Sequence, residues 1–273
     1  MSPAMPRPPR PRPDSRPERR PRRGGPAPRP PERETGPQRI AKLLARAGVA
    51  SRRDVERLIT EGRVALNGET LATPATLLVD LKGVTVDGKP VAAPEPTRLF
   101  LFHKPAGCLT TARDPKGRKT IYDLLPPGLP RLQPVGRLDM NTEGLLLLTT
   151  DGEFKRALEL PANAVDRRYR VRVYGRVEQA SLERLAEGIT VEGVRYGPII
   201  ADLERRMGAN SWVTMTLTEG KNREVRRVLE ALGVQVTRLI RVAYGPFTLG
   251  ESQPGDIVEA RPADVDRLKR SLR

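Results

Sequence analysis

An α+β fold with a mixed or antiparallel sheet is what this sequence predicts, and three stretches carry the prediction. Tyr169, Val171 and Val173 alternate with Arg170, Arg172 and Tyr174, the period-two pattern of a half-buried strand. Leu145 to Leu148 form an unbroken apolar run, as in a strand buried on both faces. Val225, Val228, Leu229 and Leu232 instead recur at helical spacing. Strands and helices alternate, but without the regular rhythm of a doubly wound parallel sheet.

Composition narrows the classes. The chain has 273 residues, with 49 Lys and Arg against 33 Asp and Glu, a net charge of +16. Residues 1–38 hold ten Arg against four acids, so a surplus of +10 belongs to the remainder. Such a basic body suits a polyanion, and nucleic acid is the expected one, because phosphate neutralisation releases counterions. There is no apolar run of bilayer length and no signal-like stretch, so no membrane association is expected. A lone Cys108 excludes an internal disulfide framework and, with a lone His103, a Cys/His metal cluster. A soluble, reducing, cytoplasmic setting and a monomer are the expectation.

Taken in order, residues 1–38 hold 13 of the 28 prolines and no Val, Ile, Leu, Phe, Tyr or Trp. With nothing to bury, this Arg/Pro-rich tail is expected to be disordered. Residues 39–93 then read as a small domain. Ile40, Leu43, Leu44 and Ala47 recur helically up to Gly48, and Val55, Leu58 and Ile59 do so up to Gly62. Ser51 with Asp54 resembles a capping box, with Asp in place of Glu. Arg39, Lys42, Arg46, Arg52, Arg53 and Arg57 give the two helices a basic side. Asn67-Gly68 and Asp87-Gly88 are hairpin signals. The stretch RIAKLLARAGVASRRDVERLITEGRVALNG resembles the S4-type RNA-binding domain, which implies that this basic side contacts structured RNA.

Pro94 and Pro96 mark a linker into a larger domain, residues 97–273. Leu99 to Phe102 reads as a strand ending at His103-Lys104-Pro105. The polar loop Arg137 to Gly144 carries Asp139 beside an arginine, between strand-like stretches, and Asp151-Gly152 reads as a tight turn. A carboxylate so held is fixed yet reachable, as a catalytic group must be, although a solvated turn aspartate is the plainer alternative. In the helix after Glu219-Gly220-Lys221-Asn222, Arg226 lies about 100° from Val225, at the border of the apolar stripe. Arg223 and Arg227 are expected to point away. No phosphate-cradling glycine loop, zinc spacing or Ser/His/Asp constellation occurs, so no cofactor and no metal are expected.

FHKPAGCLTT, GRLDMNTEGLLLLTTDGEF, DRRYRVRVYG and LTEGKNREVRRVLEALGVQVTRLIRVAYGP, in that order, closely resemble the RsuA/RluB family of ribosomal RNA pseudouridine synthases, and its large-subunit (23S) branch most of all. The resemblance spans about residues 39–261. It implies a cofactor-free isomerisation of one uridine in ribosomal RNA or an assembly intermediate. Asp139 would be the essential carboxylate, as nucleophile or base; Arg226 its basic partner; Tyr169 the residue holding the target base. Arg137 would hold the extruded RNA, Leu138 would wall the pocket, and Lys104-Pro105 would be structural. Arg223 would be an RNA-facing arginine. An ionised aspartate is favoured by a nearby guanidinium, which typically lowers its pKa by about one to three units. A small-subunit target, or a non-catalytic assembly factor using the same surfaces, are the competing readings.

Overall fold

The computed structural model describes residues 36–92 and 96–272. The tail expected to be disordered therefore lies outside the described residues, except at its end, where Gln38 already pairs with Leu78 in a short strand. Pro94 of the expected linker is outside them too. Residues 37–273 form one compact unit. Among the described residues no helix is long and apolar enough to cross a membrane.

Helices Ile40–Arg46 and Arg52–Thr60 pack Ile40, Leu44, Val55 and Ile59 into a small core of their own. Ser51 caps the second helix, its hydroxyl accepting the Asp54 N–H at 3.1 Å. Asp54 does not return the bond to the Ser51 backbone as a capping-box glutamate would. One methylene shorter, it accepts from the Ser51 hydroxyl at 2.5 Å instead. Val64–Leu66 pairs with Glu69–Thr70, and Val84–Val86 with Lys89–Pro90. Both two-residue turns have positive φ throughout, 51° and 89° at Asn67-Gly68 and 50° and 74° at Asp87-Gly88, matching the twist of the strands they join.

The larger region is built on a nine-stranded mixed sheet among the described residues. Its main path runs Ile199–Met207, Asn210–Leu217, Arg167–Tyr174, Gln235–Tyr244, Glu143–Thr149, Leu99–Lys104, Ile257–Glu259. Every pairing along it is antiparallel except one: Gln235–Tyr244 runs parallel to Glu143–Thr149, with Ile240 opposite Glu143 and Arg241 opposite Gly144. There the two backbones come so close that a Cβ on Gly144 would lie 2.4 Å from the Arg241 carbonyl oxygen, and Gly144 itself has φ +105°. Glycine is required at that point.

The leucine run is buried on both faces, as its continuity predicts. Leu146 and Leu148 face one core with Phe102, Tyr169 and Val171, while Leu145 and Leu147 face another with Phe154, Leu158 and Val265. Each such leucine stabilises the fold by about 1.5–3 kcal/mol. Asp151-Gly152 differs from the tight turn expected. Asp151 is the cap of helix Gly152–Glu159, accepting the N–H groups of Glu153 at 2.9 Å and Phe154 at 3.2 Å. A buried aspartate at a strand end satisfies the orphan amides of the next helix directly, with no turn residues between.

Candidate active site

The loop between Gly136 and Gly144 is held from below by a buried lysine. Lys104, fully buried at the end of its strand, donates to four carbonyl oxygens: Pro105 at 3.0 Å, Asp139 at 3.1 Å, Met140 at 3.4 Å and Thr142 at 2.9 Å. Burial pushes its pKa below the lysine norm, partly opposed by Cys108, Asp139 and Glu143. The Thr142 N–H closes the loop on the Asp139 carbonyl at 3.0 Å. Thr110 grips the other side, donating to the Leu138 carbonyl at 2.8 Å and accepting its N–H at 3.3 Å. With its backbone fixed on three sides, the loop presents the Asp139 carboxylate, 37% exposed, to an open cavity of about 450 Å³.

Tyr169 reaches the same cavity from the strand Arg167–Tyr174, whose odd-numbered residues are all buried. Arg137 and Leu138 also line it, Arg137 exposed and Leu138 buried. Thus Asp139, Tyr169, Arg137 and Leu138 are brought together as their motifs imply.

The arginine beside Asp139 is not the one expected. Arg223 makes the direct ion pair, its Nη1 lying 3.4 Å from the Asp139 carboxylate. The helical projection that turned Arg223 away does not apply, because the helix starts only at Glu224 and Arg223 has a left-handed backbone, φ 52°. That twist swings its side chain toward the carboxylate. Arg226 does turn inward and is 9% exposed, but it lies behind the cavity wall, donating to the Asn141 carbonyl at 3.0 Å and the Val236 carbonyl at 3.3 Å. Burial, with repulsion from Arg223, lowers its pKa against the pull of Asp139 and Glu230. Arg226 therefore holds the Asp139 loop by its backbone rather than gripping the carboxylate.

The turn carrying Arg223 rests on two carboxylates. Glu219 accepts the Gly197 N–H at 2.7 Å and the Lys221 ammonium at 2.6 Å. Glu224, buried beside it, accepts the Lys221 N–H at 2.9 Å, while its other oxygen makes no hydrogen bond among the described residues. Burial, reinforced by Glu219, pushes the Glu224 carboxyl up to about 7.

Two further arginines in the wall were missed in the sequence. Arg167 donates to the carbonyls of Thr218, Val165 (3.2 Å) and Leu158 (3.3 Å) and to the Tyr244 hydroxyl (2.9 Å). Arg241, 2% exposed, donates through Nε to the Leu145 carbonyl at 2.7 Å and leaves Nη2 without a partner among the described residues. Both lie over the Tyr244 ring, at 4.9 and 5.1 Å. A signal existed: Arg167 shares the parity of Tyr169 and Val171, and Arg241 that of Leu239, so each is an arginine at an inward strand position.

The basic side of the two N-terminal helices is partly self-satisfied. Lys42 pairs with Glu153, as does Arg46 at 3.5 Å, so both turn toward the larger region. Arg52 meets Glu56 at 3.6 Å, and Arg57 meets Asp54 at 3.5 Å and Glu61 at 3.6 Å. Arg39 and Arg53 are exposed with no carboxylate partner among the described residues.

The chemistry of the cavity is that of a half-open cleft, large enough for a planar base, with an aromatic ring and a carboxylate–guanidinium pair on its wall. Comparison with known proteins points the same way. The RNA pseudouridylate synthase family matches residues 98–231, and the S4 domain matches residues 38–80. A Rickettsia felis protein described as an uncharacterized RNA pseudouridine synthase is 43% identical over 80% of this chain and 94% of its own. The ribosomal large subunit pseudouridine synthase B of Salmonella typhimurium is 43% identical over 80% of this chain and 77% of its own. A crystal structure of a pseudouridylate synthase superposes with a TM-score of 0.60 at 28% identity, covering 84% of this chain and 99% of that one.

Proposed function

Because the chain belongs to the RNA pseudouridine synthase family, we propose that it isomerises one uridine of large-subunit (23S) ribosomal RNA, extruded from the RNA into this cavity. The large-subunit target rests on the likeness to the Salmonella typhimurium enzyme. The observation that carries the mechanism is that Asp139 and Tyr169 face one cavity with Arg223 on the carboxylate.

Extrusion costs a few kcal/mol of lost stacking and pairing. Stacking on Tyr169, worth about 1–3 kcal/mol, offsets much of that. Arg137, at the rim, meets the RNA backbone. Asp139, as nucleophile at the ribose C1′ or base at C2′, promotes cleavage of the C1′–N1 bond. The uracil turns within the cavity, its C5 bonds to C1′, and the C5 proton leaves while N1 gains one. Product and substrate are isomers, so the balance needs no co-reactant. Arg223 aims the carboxylate; Arg226 and Lys104 hold its loop. A free, buried Cys108 fits a reducing, cytoplasmic setting.

Asp139→Asn is expected to abolish pseudouridine formation in a single-turnover assay on 23S rRNA fragments while leaving RNA affinity nearly intact. Full activity in that variant would defeat the assignment. Mapping pseudouridines in both ribosomal RNAs, with and without the gene, identifies the subunit and the uridine.

A further inference from the structure

The pairing that builds the cavity also builds its reverse. Between the buried residues of Arg167–Tyr174 stand Arg168, Arg170, Arg172 and Tyr174, which point to the opposite side of the sheet. The antiparallel register sets them against particular neighbours. Arg172 lies opposite Arg238 on one side and Trp212 on the other, and Trp212 lies opposite Arg205. A row Arg238–Arg172–Trp212–Arg205 thus crosses four strands, about 15 Å at the usual strand spacing. The next rows add Arg170 opposite Thr214, and Arg168 opposite Thr216.

This reverse side is open. Arg168, Arg172 and Arg205 are exposed, and Tyr174 and Met207 at its end are 55% and 56% exposed. Five arginines share it. Arg170 lies 4.4 Å above the ring of Trp212, the one tryptophan of the chain, and is held there by Glu204 at 2.8 Å. Arg238 is paired with Glu143. Asp202, opposite Thr214, is another acid on the face and lies near Gln179. Arg168, Arg172 and Arg205 make no salt bridge among the described residues, although Arg205 acts electrostatically on Glu204. Like charges collected on a sheet surface repel one another and do nothing for the fold; what they complement is a run of negative charge.

We propose that this face is a second RNA-contacting surface, gripping the phosphate backbone of a ribosomal RNA segment other than the one that supplies the target uridine. It rests on the proposal that ribosomal RNA is the substrate. RNA is favoured over an acidic protein because a polyanion already held at the cavity reaches the reverse side at high effective concentration. An arginine over an aromatic ring also offers a stacking plane to an unpaired base.

The test uses the full chain, a long large-subunit rRNA transcript, and a short hairpin around the mapped uridine. In the Arg168→Ala, Arg172→Ala, Arg205→Ala triple variant, the Kd for the long transcript should rise about tenfold. The slope of log affinity against log salt should shrink by about two, at roughly 0.7–0.9 per lost phosphate contact. Hairpin affinity and the single-turnover rate at saturation should stay unchanged. An unchanged Kd and slope for the long transcript would overturn the proposal and leave an acidic protein as the partner. A fall in the saturated rate without a change in Kd would also overturn it. Should the variant fold poorly, protection of these arginines from phenylglyoxal in the unaltered protein decides. Protection is expected with the long transcript and not the hairpin, and equal labelling in both rejects the surface. Failure of the unaltered protein to form pseudouridine in either RNA would instead strike the functional proposal, since the affinity difference is read independently of product.

Discussion

Arg167 and Arg168 are neighbours in the chain and lie on opposite faces of one sheet. Arg167 is buried, wired to three carbonyls and a tyrosine hydroxyl at the cavity wall, whereas Arg168 is exposed with no carboxylate partner among the described residues. Composition treats them alike; strand parity separates them. On the inner face an arginine is structural, because its donors satisfy backbone carbonyls that would otherwise be stranded. On the outer face Arg168 makes no salt bridge among the described residues, and its charge is available to a partner. The same division runs through the cavity, where Lys104 and Arg226 serve the backbone while Arg223 serves a side chain.

The largest test of that division is Lys104→Met. Four hydrogen bonds from a charged donor would be lost, each worth about 1.5–3 kcal/mol; the Thr142 carbonyl would keep no donor, whereas Asp139 keeps the Thr142 N–H and Met140 the Gly107 N–H. Denaturant unfolding should show several kcal/mol of lost stability together with loss of activity; a stable, active Lys104→Met would show that the loop is held some other way. Arg167→Met against Arg168→Met comes next. The first should cost roughly 3 kcal/mol and the second stay within about 0.5 kcal/mol, and equal costs would break the comparison of faces.

Within the cavity, Arg226→Ala should lower stability by about 1–3 kcal/mol through the unpaired Asn141 and Val236 carbonyls. Arg223→Ala should leave the melting temperature nearly unchanged and instead cost about 2 kcal/mol of transition-state stabilisation, roughly thirtyfold in kcat. The reverse pattern would restore Arg226 as the direct partner of Asp139.

Smallest and most specific is Glu224. Its folded pKa, about 7, lies above the ordinary glutamate value near 4.3. Between those values the native state holds a proton that the unfolded chain has released. Stability from this group is therefore full below the unfolded pKa and falls as pH rises through about 7. Glu224→Gln, which cannot ionise, should flatten the decline of thermal midpoint between pH 5 and pH 8 relative to the unaltered protein; parallel profiles would place the charge elsewhere.

Much of this was readable in one dimension. The alternation from Tyr169 to Tyr174, the doubly buried leucines 145–148 and the two Gly-containing hairpin turns followed from local periodicity and backbone preference, which neighbours in sequence decide. Asp139, Tyr169, Arg137 and Leu138 meeting at one cavity followed from their motifs. The identity of the carboxylate's partner did not. A helical projection extended one residue beyond the helix put Arg223 on the wrong side, since a single left-handed residue redirects a side chain and leaves no periodic trace.

What this sequence determined by itself, then, is the set of elements and the two-sided burial of the leucine strand, because each depends on residues a few positions apart; the residues that gather at the cavity were legible through their motifs. Only the tertiary structure decided which cation meets Asp139, that Lys104 and Arg226 act on backbone, and that arginines from three strands form one open face. Those depend on strand register and on the one parallel pairing, at Gly144 and Arg241, which join residues about a hundred positions apart.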